Sequence, residues 1–396
     1  MNTKIKFVKD VINNVFAFGI YMLSMHILFL PYMARHLEVN DNAKLLLFIM
    51  ITNIATLSLG NELGVLYQVE SKGKTEDDRV NFRILLFRTN TILFIFIVLI
   101  LYILKFSLIE SIMFGIISTL TNIRLYYAGY LRKEKKFKLI GVINLLFLTG
   151  IVLGILLFKK GLTFLWTGLL LAEILSNIYI FIKVDNSNRM SIRKRKNYKE
   201  LKKSYLDLSF ASLLTNFPTY ADKLLILPLL GSATMSAYYA GTALSKMLFL
   251  VINPINGVLL SYLATDEFGD EKRVIKRQVN INFIIIIITF LLSLPLTYLA
   301  TYIFYNQFLD KVVEILIPLS IIGTFAVASS LLKVVFLKFL DIRCLKFINI
   351  LNIITFILFG TIGAKYFGLI GFAYGVALSK FLFWLSFYVI INRELI

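Results

Sequence analysis

Ile92-Leu-Phe-Ile-Phe-Ile-Val-Leu-Ile-Leu-Tyr-Ile-Leu104 runs for thirteen residues without a charge, and Ile281-Asn-Phe-Ile-Ile-Ile-Ile-Ile-Thr-Phe-Leu-Leu-Ser-Leu-Pro-Leu296 repeats the pattern later in the chain. With their flanks, both reach the roughly 20 residues that a helix needs to cross about 30 Å of hydrocarbon. The rest of the sequence agrees. Of 396 residues, 58% are hydrophobic and only 16% charged, and the mean hydropathy is +0.80. Soluble domains carry about a quarter charged residues, so too few are present here to coat a 45.4 kDa globule. That balance excludes a soluble enzyme, a disordered chain and a disulfide-stapled secreted scaffold.

Rarer residues exclude more. Cys344 is the single cysteine and His26 and His36 the two histidines, so no internal disulfide and no Cys/His zinc site is expected. A glycine-rich loop followed by Lys-Ser/Thr is missing, and no soluble stretch is long enough for a nucleotide-binding domain. No cofactor is expected.

Marking every apolar run of spanning length gives twelve, near 11–33, 43–66, 83–106, 109–130, 139–158, 163–183, 208–230, 234–263, 281–304, 312–337, 345–364 and 369–391. The predicted fold is therefore an all-α integral membrane protein. If odd-numbered gaps lie outside, the even gaps and both tails hold 29 of the 42 Lys and Arg residues and the outer gaps 7. This positive-inside bias makes both termini cytoplasmic. It also accounts for the net charge of +19 without a nucleic-acid partner. The most basic gap, Lys183 to Lys203 with Arg193-Lys194-Arg195-Lys196, lies midway. It reads as a topology determinant or as a strip for anionic lipid heads. The expected organisation is a six-helix lobe over 1–183, a basic cytoplasmic linker over 184–207 and a second six-helix lobe over 208–396.

The two lobes echo each other. Lys138-Leu-Ile-Gly-Val-Ile-Asn144 returns as Lys346-Phe-Ile-Asn-Ile-Leu-Asn352, 208 positions on. Gly161-Leu162 with Gly168 returns as Gly368-Leu369 with Gly375 at 207, and Gly64-Val65-Leu66 as Gly257-Val258-Leu259 at 193. Each match falls in the equivalent span, the mark of a parallel repeat common among transporters.

Ionisable residues inside spans are the candidates for function, because each costs about 2.5–3.5 kcal/mol at a helix centre. Arg88, Lys333 and Glu62 lie close enough to a span edge to snorkel or sit at the boundary. Arg124 is deeper; Glu173, Lys246 and Lys380 fall near mid-span, and Asp222-Lys223 some way in. The repeat offset aligns Glu173 with Lys380, opposite charges at equivalent depths that would pair between the lobes in one state of a gating cycle. The bases Arg88, Arg124, Lys223, Lys246, Lys333 and Lys380 outnumber the acids Glu62, Glu173 and Asp222. A cavity lined by that set suits an anionic substrate, phosphate or pyrophosphate above all. Tyr126, Tyr127, Tyr130, Tyr238 and Tyr239 read as a membrane-interface belt or as stacking faces for sugar rings.

Several short stretches together resemble the Wzx-type repeat-unit flippases of O-antigen and capsule synthesis, in the exporter superfamily with the MATE-like fold. They are Tyr220-Ala-Asp222-Lys223-Leu-Leu-Ile226 with Leu230-Gly231 and Ala237-Tyr238-Tyr239-Ala240; Tyr130-Leu131-Arg132 with Phe137-Lys138-Leu139-Ile140; Pro31-Tyr32 with Arg35 and Leu37; and Phe367-Gly368-Leu369-Ile370-Gly371-Phe372-Ala373. One departure is Glu38 after Leu37, where that family usually has glycine. Of the charged candidates, only Asp222 and Lys223 match a family motif; the others rest on depth and charge.

The resemblance implies two lobes around a cationic cavity in a bacterial plasma membrane. Alternating access would move an undecaprenyl-pyrophosphate-linked oligosaccharide, the tail staying in the surrounding lipid. It also implies a surface-polysaccharide polymerase and a chain-length regulator as partners. A proton or sodium gradient as the driving force would act through Glu62, Glu173 or Asp222. Two rivals are weighed. A small-molecule exporter of the same fold for cations would line its cavity with acids, whereas bases dominate here. A membrane-embedded polymerase or glycosyltransferase would place its catalytic groups in a long outer loop, and the longest outer gap spans only Arg35 to Lys44.

Overall fold

The computed structural model describes residues 3–70, 76–161, 166–184, 198–243, 271–339 and 342–395. Every regular element among them is helical. Ile12–His36 (α1), Val39–Gln68 (α2), Arg79–Ile103 (α3), Leu108–Lys133 (α4), Phe137–Lys159 (α5) and Thr167–Val184 (α6) are each long and apolar enough to cross a membrane. Tyr198–Leu230 (α7) follows, then residues 232–243 (α8), Ile275–Phe304 (α9) and Leu316–Phe339 (α10). The last helix, Ile342–Leu395, is broken at Gly368 into α11 (342–367) and α12 (369–395). Among the described residues nine segments qualify as spans by length and composition. The seventh expected span, within α7, is not one of them, because Asn216, Asp222 and Lys223 dilute its apolar content. Beyond Ala243 the eighth expected span lies outside the described residues, as does most of the basic linker.

The opening stretch shows how such sequences pack. On α3, Leu93, Ile97 and Leu101 are buried at helical spacing, whereas Ile92, Phe96, Leu99 and Ile103 are half or more exposed. Both faces are apolar because both neighbours, protein and lipid, are apolar. Helix α9 goes further: Asn282, Ser293, Thr297 and Thr301 are buried while Ile284, Ile287, Leu291 and Leu292 are exposed. Polar side chains turn inward because only protein can satisfy them. Asn282 donates to the Ala328 carbonyl at 2.8 Å and accepts from the Trp384 indole at 2.8 Å.

The chain divides into two compact units, Met1–Met33 with Lys44–Tyr220, and Ala34–Ala43 with Ala221–Ile396. In the second, the short segment is held by Gln307, which donates to the Ala34 carbonyl at 2.8 Å, by Arg35 on the Ile303 carbonyl, and by Asn42 on Ser236 at 3.0 Å.

One echo seen in the sequence, that of Gly161 with Gly368, has a structural counterpart; the echo at Gly257-Val258-Leu259 lies outside the described residues. Gly161 and Gly368 both have positive φ, +70° and +59°, and each ends one helix where the chain turns into the next. In the first unit a side chain on Gly154 would begin 2.1 Å from the Gly168 Cα, and one on Gly150 would begin 2.3 Å from the Ala172 Cα. In the second, a side chain on Gly363 would begin 2.1 Å from the Gly371 carbonyl oxygen and one on Gly375 2.2 Å from that of Phe359. Both pairs of helices, α5–α6 and α11–α12, are thus antiparallel hairpins closed by small residues, the usual means of bringing helix backbones together in lipid. A 47-residue span would run about 70 Å if straight, far more than a bilayer core. The fold at Gly368 divides it into two lengths that each suffice.

Candidate functional site

In the first unit, α4 and α6 bring Arg124 and Glu173 together, 5% and 2% exposed. The guanidinium is bidentate: Nε donates to Glu173 Oε2 and a terminal nitrogen to Oε1, both at 2.9 Å. Thr121, one turn before Arg124, donates to the same Oε1 at 2.8 Å. Tyr21 on α1 and Phe147 on α5 stack on the guanidinium, with ring centres 4.8 and 4.7 Å from its carbon. Every strong demand of both ions is met within this unit. Arg124, grouped with the substrate-binding cations on charge and depth alone, is Glu173's partner. That choice depended on α4 lying beside α6, which no span-by-span reading contains.

The second unit gathers a different set. Lys223 is fully buried and pairs with the adjacent Asp222, whose other oxygen accepts from the Lys223 backbone N–H at 2.9 Å. Tyr238 on α8 lies under the Lys223 ammonium, 5.3 Å from the ring centre, and packs edge-on against Phe372 of α12 at 5.4 Å. Two turns along α12, Lys380 lies within electrostatic range of both Asp222 and Lys223, its ammonium 5.9 Å from the Phe383 ring centre. The turn after α7 is made by Gly231, at φ +83°, where any side chain would be strained. Tyr238 is completely buried, with its hydroxyl against the Asp222 carboxylate. Three helices therefore hold two ammonium groups and one carboxylate in an apolar surround, a net positive centre suited to a phosphoryl oxygen.

The remaining candidates are dispersed. Glu62, half-buried on α2, accepts from Ser212 at 3.0 Å and from Asn61 at 3.3 Å. Arg88 is exposed on α3, with the Tyr198 hydroxyl at 3.3 Å and that ring 5.7 Å away. Lys333 is half-buried on α10. Lys246 lies outside the described residues. Among those described, no group of three or more His, Cys, Asp or Glu side chains is placed to hold a metal ion. The tyrosines correct an expectation: Tyr126, Tyr127, Tyr238 and Tyr239 are all buried, packed inside the protein instead of ringing it as a belt. Tyr126 and Tyr127 join Tyr67 and Phe82 in the core of the first unit. Sequence reading missed Tyr21, Phe147 and Thr121 around Arg124. Only Thr121 carried a signal, a polar residue three positions from a buried charge on the same helix face.

No protein-family model matches the chain, and no curated protein matches it in sequence. Solved structures do match in shape. A multidrug resistance MATE family transporter of the MOP superfamily, in an inward-facing conformation, superposes with a TM-score of 0.70 at 14% identity, over 96% of this chain and 98% of that one. The lipid II flippase MurJ in an inward closed conformation gives 0.63 at 12% identity, over 98% and 87%. A Vibrio cholerae MATE transporter, VcmN in the bent form, gives 0.60 at 15%, over 98% and 96%. At these identities the likeness is one of fold: the chain has the MATE-like fold, and these neighbours are transporters and flippases, not enzymes.

Proposed function

We propose that this protein is a flippase that carries undecaprenyl-pyrophosphate-linked oligosaccharide units across the bacterial plasma membrane by alternating access, for assembly of O-antigen, capsule or exopolysaccharide. The observation that carries the reading is the two-to-one excess of ammonium over carboxylate at Lys223, Lys380 and Asp222. Buried positive charge that is not fully compensated is costly in lipid, and an arriving pyrophosphate lowers that cost through charge-assisted hydrogen bonds. Lys380 is the cation left over once Asp222 has paired with Lys223, and so meets the anion first. The lipid tail stays in the bilayer, so the protein need only shelter sugars and pyrophosphate. A polymerase and a chain-length regulator would receive the flipped unit, and the basic segment between Lys183 and Lys203 would sit against anionic lipid heads.

Likeness to MATE transporters supports export of a small molecule as a second reading, on the strength of the 0.70 superposition. Charge separates the two, since a pocket for organic cations calls for surplus acid. The deciding experiment deletes the gene and restores the wild type or Lys380→Ala. Build-up of lipid-linked oligosaccharide on the cytoplasmic leaflet, loss of surface polysaccharide and rescue by wild type alone support the flippase. Unchanged lipids with new sensitivity to a small toxin support the exporter.

A further inference from the structure

Two side chains one residue apart on a helix point about 100° from each other and do not meet of their own accord. Asp222 and Lys223 of α7 meet nonetheless. One carboxylate oxygen accepts from the Lys223 backbone N–H at 2.9 Å and the other from the Lys223 ammonium. Lys380 of α12 lies within electrostatic range of the same carboxylate and competes for it. Both lysines are point charges on flexible stems, so neither has an advantage in shape. A group outside α7 therefore has to settle which of them Asp222 keeps.

Tyr238 of α8 is placed to do so. Its ring centre lies 5.3 Å from the Lys223 ammonium, and its hydroxyl lies against the Asp222 carboxylate. A phenol offers a cation its face and a carboxylate its O–H at the same time. The position of Tyr238 is itself fixed. It is completely buried, between Ala237 and Tyr239, which are buried too. Phe372 of α12 meets its ring edge-on at 5.4 Å, and Phe372 is backed by Gly360 of α11, where a side chain would begin 3.3 Å from the Phe372 ring. Two residues before Tyr238, Ser236 accepts from Asn42 at 3.0 Å, which pins the start of α8.

We propose that Tyr238 is a positioning residue for the anion site: it holds Asp222 against Lys223 and so keeps Lys380 free for the pyrophosphate of the substrate. The identity of the anion rests on the flippase reading; the division of charge rests on the side-chain geometry alone. Without the hydroxyl, Asp222 turns toward Lys380, and the cation that would meet a phosphoryl oxygen is spent on an internal pair. The ring still packs on Phe372 and beneath Lys223, so what changes is the arrangement of charge and not the fold.

The test uses Tyr238→Phe in the purified full-length protein, which keeps the ring and removes only the hydroxyl. The first readout needs no ligand. Lys380→Met is expected to leave the unfolding temperature of the wild type unchanged or raised, since it removes an ammonium that has no carboxylate of its own. In the Tyr238→Phe protein the same substitution is expected to lower it, because Lys380 has by then gained Asp222. The second readout is binding of inorganic pyrophosphate, measured by calorimetry. Tyr238→Phe is expected to weaken it roughly tenfold, and adding Asp222→Asn to restore it, since the competing carboxylate charge is gone. A purely structural tyrosine would not be rescued by losing a second contact. Tyr302→Phe, exposed on α9, should change neither readout. A Lys380→Met effect of the same sign in both backgrounds, undiminished pyrophosphate binding in Tyr238→Phe, or no rescue by Asp222→Asn would each overturn the proposal. A Tyr238→Phe protein that does not fold would make the hydroxyl a structural tie and overturn it as well. If the change of sign is seen but the wild type binds no pyrophosphate, the positioning of Asp222 stands and the substrate reading alone falls.

Discussion

Each unit buries a charge cluster, and the two clusters are solved differently. Arg124 and Glu173 form a closed pair: one cation, one anion, a fork of two 2.9 Å hydrogen bonds, a threonine on the carboxylate and two rings on the guanidinium. Asp222, Lys223 and Lys380 form an open one, in which the carboxylate pairs with Lys223 and a second buried ammonium lies within electrostatic range of both. Closed pairs hold a fold in place, because nothing is gained by letting either partner go. Open ones keep capacity for a further anion. Arginine and lysine suit these roles, since the planar fork locks a carboxylate whereas the ammonium is a mobile point charge.

The comparison can be broken most decisively at Lys380. Lys380→Ala is expected to abolish surface polysaccharide while the purified protein unfolds near the wild-type temperature, because Asp222 still has Lys223. Lys380→Arg should retain part of the function. If Lys380→Ala instead fails to fold, the open cluster is as structural as the closed one. At the closed pair the expectation reverses. Arg124→Ala or Glu173→Ala strands a buried ion and costs about 3–5 kcal/mol, seen as a large fall in unfolding temperature. Arg124→Leu with Glu173→Leu should recover most of that loss. A double variant no better than the singles would assign the pair a working role.

A finer test sets the two helix hairpins against each other. Gly375 and Gly168 are equivalent in the repeat, yet a side chain on Gly375 would meet the Phe359 carbonyl at 2.2 Å, and one on Gly168 a Phe29 ring carbon at 3.2 Å. Backbone cannot yield as a ring can. Gly375→Ala should therefore lower stability by about 1–3 kcal/mol, and Gly168→Ala by distinctly less. The smallest effect lies outside both clusters. Ser107 caps α4 and exchanges hydrogen bonds with Glu110, at 3.2 and 2.8 Å. Ser107→Ala should cost about 1 kcal/mol in chemical or thermal unfolding and leave polysaccharide export intact.

Much of this arrangement was legible before any coordinates. The apolar runs placed the helices, and the pairing of Gly161 with Gly368 marked two turns of matching backbone geometry, because a positive φ leaves its trace in a single residue type. Asp222 and Lys223 stood out as charges in an apolar run. Less visible was the surround of Glu62. The segment Thr56-Leu-Ser-Leu-Gly-Asn-Glu62 is conspicuously polar for a span, but the π turn it makes has no reliable sequence signature. Ser212, which donates to Glu62, reaches it from a helix far along the chain. The tyrosines were ambiguous for a related reason: a tyrosine near a span edge looks the same in sequence whether it faces headgroups or a neighbouring helix.

By itself, the sequence determined the solvent of this protein, the run of its helices and which of them carry charge, since these follow from composition over windows of one helix length. Tertiary structure alone decided how each charge is answered. Arg124 meets Glu173, and Lys380 comes within electrostatic range of Asp222 and Lys223, because of which helices are neighbours and which faces they turn to one another. In a membrane nearly every face is apolar, so hydrophobic pattern cannot specify that rotation, and packing has to.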